Sequence, residues 1–194
     1  MKDIIKWLEN RGITVNDADL IRQAFMHTSY ANEHRSRLDN ERLEFMGDAV
    51  LQLWSSEHIF PLKPALSEGQ MTKLRAQLVN EKALAAYGRQ LQLNDYLLLG
   101  SGEEKTGGRN KNAIIADMFE AFLGALYLDQ GMHAVDNILD EVVTPHPLFC
   151  FCLLYVVEYS LNENCNFCSC SIIFRIDCCR CFAFHKACAY CPVH

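Results

Sequence analysis

Cysteine is absent from the first 149 residues of this 194-residue chain, and all ten cysteines fall at or after Cys150. That absence excludes a disulfide framework or a thiolate metal site from the larger part of the chain. No uninterrupted apolar run of about 18 residues precedes residue 148, so no membrane-spanning helix is expected there. The start lacks the basic-then-apolar order of a secretory signal. Nowhere before the cysteines do apolar and polar residues alternate long enough for a strand, and no segment repeats. What these absences leave is an all-α protein of about seven or eight helices in its first 146 residues, expected in the cytoplasm.

Excess positive charge is lacking as well. Residues 1–149 carry 15 basic and 21 acidic side chains, and the later residues carry three of each. A domain of net charge −6 repels a polyanion. Nucleic acid can be its partner only if cations bridge the two or if basic residues are grouped locally.

The stretch NERLEFMGDAVL, residues 40–51, is present where charge balance would not favour it. Glu41, Glu44 and Asp48 fall within roughly 60° of one another on a helical wheel, while Leu43, Met46, Val50, Leu53 and Trp54 take the other side. Asp39 or Asn40 can cap the start of this helix, and Pro61 closes it. Carboxylates so spaced repel one another unless solvent or a cation compensates them. A solvated acidic face is one reading. Two details favour the other: Gly47 costs about 1 kcal/mol inside a helix and marks close approach by another element, and Phe45 lies beside the acids, away from the apolar stripe.

A second stretch, NAIIADMFEAFLGALYLDQG, places Ile115, Phe119, Phe122 and Leu126 on one face. Asp117 and Glu120 lie on the other with Ala113, Ala121 and Gly124, which suggests two helices packed acid face to acid face. Glu44, Asp48, Asp117 and Glu120 then converge. Oxygen donors without histidine or cysteine favour magnesium, or manganese in its place, over zinc. Such a site suits in-line phosphodiester hydrolysis. Between the two helices, GSGEEKTGGRNKN reads as a mobile glycine-rich loop whose Arg109 and Lys111 are candidate RNA contacts. His27, in MHTSYANEH, is a base or ligand in principle, but a hydrogen-bonded histidine near a helix end fits better. Other helices are expected over 1–12, from Asn16 or Asp17 onward, in two pieces after Ser67, and from about His133 to Val143.

NERLEFMGDAVL and GGRNKNAIIADMFEAFLGALYLDQG resemble the two signature blocks of the ribonuclease III family. AFMHTSYANE and LLGSGEE resemble it too, in the same order and at matching distances. The resemblance covers residues 1–146 and implies a ribonuclease III catalytic domain: an all-α helical bundle, a homodimer, and magnesium-dependent cleavage of double-stranded RNA that leaves 5′-phosphate and 3′-hydroxyl ends. It implies roles in ribosomal and messenger RNA processing. By the same resemblance Glu44, Asp48, Asp117 and Glu120 are the metal ligands and catalytic acids, Glu41 is a supporting acid, and Phe45 inserts into the partner subunit. Thr106 and Gln70 depart from the usual pattern without removing a ligand. A noncatalytic, dimeric RNA-binding or ribosome-associated module of the same fold is the alternative.

Residues 147–194 do not resemble the double-stranded-RNA-binding domain that follows the nuclease domain in bacterial members. This cysteine-rich tail pairs Cys165 with Cys168 and Cys188 with Cys191, 19 residues apart, with Cys170, His185 and His194 nearby. That spacing suits a zinc ribbon. Ten cysteines in 45 residues, however, produce such pairs by chance and leave Cys178, Cys179 and Cys181 unassigned. A disulfide module conflicts with the cytoplasmic reading. Composition and family likeness change together near residue 147, which favours a replaced C-terminus over a zinc site.

Overall fold

The computed structural model describes residues 3–143. Among them the chain forms nine α-helices and two short 3-10 turns, and the one strand-like feature is an isolated bridge between Met26 and Leu98. The helices are α1 (Ile4–Glu9), α2 (Ala18–Gln23), α3 (Thr28–Glu33), α4 (Glu41–Ile59), α5 (Glu68–Leu78), α6 (Glu81–Gln90), α7 (Ser101–Lys105), α8 (Asn112–Gln130) and α9 (Met132–Val142). The all-α expectation holds, as does the position of each long helix. The expectations for the cysteine tail lie outside the described residues.

Helix α8 is the axis of the domain. From Ile114 to Leu126 every residue except Asp117 and Glu120 is buried, and the helix packs against α2, α4, α6 and α9. A helix apolar almost all round belongs in the centre of a core. Its partners supply amphipathic faces: Leu43, Val50, Leu51, Trp54 and Ile59 from α4, Ala83, Leu84 and Tyr87 from α6, and Val135, Ile138 and Leu139 from α9. Leu53 is a correction to the apolar stripe read from sequence. It is 50% exposed and lies on the edge of α4 shared with Phe45 and Phe60.

Local signals explain most helix starts. Asp17 accepts hydrogen bonds from the N–H groups of Asp19 and Leu20 at the start of α2. Ser67 and Gln70 form a reciprocal capping box at α5, and Asn80 caps α6. Helix α4 begins at Asn40, whose side chain makes no cap bond; Asp39 Oδ1 accepts from the Glu41 N–H instead.

The segment read as a mobile loop is ordered around α7. The Glu33 carboxylate accepts from both the N–H and the hydroxyl of Ser101, each at 2.6 Å. Ser29 Oγ accepts from the Gly100 N–H at 2.9 Å. Those bonds come from α3, 68 and 71 residues away, so no local pattern announces them. A similar tie closes the domain, where Asp129 near the end of α8 accepts from the backbone N–H groups of Asn16 and Asp17. Burial works against the charge on Asp129, yet bonds from Gln130, Asn16 and Asp17 hold its pKa below the ordinary value.

Candidate active site

Two glycines set the geometry of the site. A Cβ on Gly47 would collide with the backbone carbonyl of Glu120, and a Cβ on Gly124 would collide with the Leu43 carbonyl and the Gly47 nitrogen. Helices α4 and α8 therefore cross backbone to backbone at this point, as the small residues in the sequence suggested. Glu44 and Asp48 sit one turn before and one residue after Gly47 along α4. Direct contact of Gly47 with Glu120 brings all three acids to the same crossing, and Asp117 lies one turn earlier on α8.

The electrostatics follow from that crossing. Glu120 is half-buried, and its pKa is pushed up to about 8, first by burial and then by the charges of Asp48, Glu44 and Asp117. Burial also raises Glu44, with Asp117, Glu41 and Asp48 adding to the effect. Asp117 is raised by burial; His27 opposes this and Glu81 reinforces it. Every charge acting on Glu44 and Glu120 is thus another carboxylate. Among the described residues no lysine or arginine acts on Glu44, Asp117 or Glu120.

Among the described residues no three His, Cys, Asp or Glu side chains are drawn tightly enough together to hold one metal ion as they stand. Asp48 shows why. Its two carboxylate oxygens accept from Gln52 Nε2, at 3.2 and 3.1 Å, one turn along its own helix. The donor set nevertheless fits a hard divalent cation, being made of oxygen alone, uncompensated, and placed where the backbones are held apart by nothing larger than glycine. Glu41 is exposed at the edge of the group and acts on Glu44.

The remaining sequence candidates fall elsewhere. Phe45 is 82% exposed and takes no part in the core. His27 caps α3, its Nδ1 accepting from the Ser29 N–H at 3.2 Å, which agrees with a hydrogen-bonded histidine at a helix end. Arg109 donates to both oxygens of Glu104 and to the Asn94 carbonyl. Lys111 donates to Glu103 at 2.7 Å. Both cations therefore brace the turn that leads into α8. Gln52 was missed by sequence reading, although its i+4 spacing from Asp48 is a visible signal.

Comparison with known proteins places this helical fold in a family. A family model described as ribonuclease-III-like matches residues 17–146, and the chain belongs to that family. It is 55% identical over 141 residues to ribonuclease 3 of Geobacillus kaustophilus and 53% identical over 139 residues to that of Bacillus cereus. Each alignment takes in 71% of this chain and 57% of the relative, so the chain spans little more than half the length of these proteins. The nuclease domain of ribonuclease III from Campylobacter jejuni superposes with a TM-score of 0.65 at 35% identity, over 72% of this chain and 97% of that one. A second structure of that domain gives 0.63 at 36% identity, over 73% and 97%.

Proposed function

We propose that this chain is a metal-dependent endoribonuclease that hydrolyses phosphodiester bonds of double-stranded RNA, acting in ribosomal and messenger RNA processing in the cytoplasm. The observation that carries the reading is the convergence of Glu44, Asp48, Asp117 and Glu120 at the Gly47–Gly124 crossing, with no lysine or arginine of the described residues acting on Glu44, Asp117 or Glu120. Bound there, magnesium would supply the activated water and the positive charge needed at the leaving 3′ oxygen. Glu44, Asp117 and Glu120 stand on the two packed helices, so the backbone already brings them to the crossing, and their side chains would draw together on a cation. Asp48 would join them by exchanging the Gln52 amide for the cation. Glu120, with its pKa pushed up to about 8 by burial and by the neighbouring acids, would have to give up a proton to serve as a ligand.

Asp48→Asn and Asp117→Asn are each expected to lower cleavage of a long RNA duplex in magnesium by roughly 100-fold or more while leaving the fold intact. Cleavage by both variants at the parent rate, followed on a gel, would remove the assigned site.

The same reading includes a second copy of the chain. Phe45, Leu53 and Phe60 leave an apolar edge along α4, with Phe45 at 82% and Phe60 at 78% exposure. Large apolar side chains presented together on one helix mark an interaction surface. The Campylobacter jejuni domain is described as having a region involved in dimer formation. Sedimentation equilibrium is expected to find a dimer for the parent and a shift toward monomer for Phe45→Ala; an unchanged dimer would show that Phe45 is not a contact.

A further inference from the structure

We infer that Arg35, Arg37 and Arg42, on the connection between α3 and α4 and the first turn of α4, grip the phosphate backbone of the RNA duplex. The inference rests on the endoribonuclease reading and names the surface that would hold its substrate. An acidic domain can receive RNA only where cations are grouped and free to bond. Arg109 and Lys111 are taken by Glu104 and Glu103. Arg35, Arg37 and Arg42 are all exposed, and their side chains make no ion pair or hydrogen bond. No other stretch of eight described residues holds three cations so disposed. Glu33, Asp39, Glu41 and Glu44 lie in the same stretch and keep its net charge from being positive, but none of them pairs with a guanidinium: Glu33 is turned to Ser101, and Asp39 accepts from the Glu41 N–H. Arg42 shares the first turn of α4 with Glu41 and Glu44, so the group borders the carboxylates.

A second observation concerns the backbone at Arg35. Helix α3 ends with the Ser36 N–H donating to the Ala31 carbonyl at 2.8 Å and the Arg35 N–H donating to the Asn32 carbonyl at 3.3 Å. That is the two-bond helix ending in which glycine normally takes the left-handed position. Here the position is held by arginine, at φ 52°. A long β-carbon-bearing side chain is disfavoured in that conformation, and its own contacts in the fold do not compensate. Strain kept without a structural return points to a role outside the domain.

The test uses the full chain with Glu120→Gln added to block cleavage, and a duplex RNA of about 30 base pairs, titrated across a chloride series. Arg35→Gly is expected to raise Tm by about 2–4 °C while weakening binding, because the glycine relieves the backbone and removes a phosphate contact. Arg35→Gly, Arg37→Ala and Arg42→Ala together are expected to reduce the slope of log K against log salt by about 2–3, close to one per lost contact. An unchanged slope and affinity in the triple variant, with the parent binding normally, would overturn this inference alone. A lower Tm for Arg35→Gly would overturn the strain argument behind it. A parent chain that binds no duplex at all would overturn the proposed function as well.

Discussion

Glu120→Gln, studied without divalent ions, is expected to be more stable than the parent at pH about 8 and equal to it near pH 4. Glu120 titrates at about 8 in the folded domain against an ordinary 4.5. Below about 4.5 the folded and unfolded chains both hold the proton, and pH has no effect through this group. Between 4.5 and 8 the unfolded chain releases a proton that the folded chain retains, so stability falls as pH rises, and the loss is complete above 8. Glutamine is neutral throughout and escapes the loss. Allowing for solvent screening of a half-buried group, the gain is about 2 kcal/mol, or roughly 4–8 °C in Tm. Adding magnesium should reverse the order, raising the Tm of the parent more than that of the variant, and cleavage by the variant should be lost. Thermal melts in chelator from pH about 4 to 9 provide the check; a variant no more stable than the parent at pH about 8 would refute the electrostatic account of the site.

Gly47→Ala is expected to have the largest effect on folding of any single methyl group added to the domain. In an ordinary helix interior this change stabilises by about 1 kcal/mol. Here the new Cβ would meet the backbone of Glu120 and not a flexible side chain. Backbone cannot step aside without moving α8, so the helices must separate along their whole contact. Overpacking of this kind costs about 3 kcal/mol or more, enough to outweigh the gain in propensity and lower Tm by roughly 10 °C. Because the same movement displaces Glu120 from Glu44 and Asp48, residual folded protein should also cleave poorly. Gly69→Ala is the control, since a Cβ there meets nothing within 4 Å. Equal melting temperatures for the two variants, measured by circular dichroism, would contradict the backbone crossing.

The crossing was legible because glycine inside a strong helix is costly in either sequence block, and because acids recur at helical spacing opposite each apolar face. Phe45 was legible for a similar reason, being on the wrong side of its helix for the core. The ordering of residues 101–111 was not. Its bonds depend on Glu33 and on ion pairs between residues five and eight positions apart, in a segment whose glycines point toward mobility. The charges of Arg109 and Lys111 could be read, but not the fact that Glu104 and Glu103 occupy them. Leu53 was misplaced because it sits at the border of the apolar arc, where a wheel cannot tell a buried edge from an exposed one. The Asp129 tie spans 112 residues and leaves no local trace.

The central position of α8 has a consequence for synthesis. A chain emerging from its N-terminus has produced α1 through α7 before the helix that α2, α4 and α6 pack against exists. Until about residue 126 has appeared, the apolar faces of α4 and α6 have no floor to bury against, and Asp117 and Glu120 have only just joined Glu44 and Asp48. Core and proposed site are thus completed by one late event. A nascent chain that has not yet reached residue 117 holds only two of the four acids.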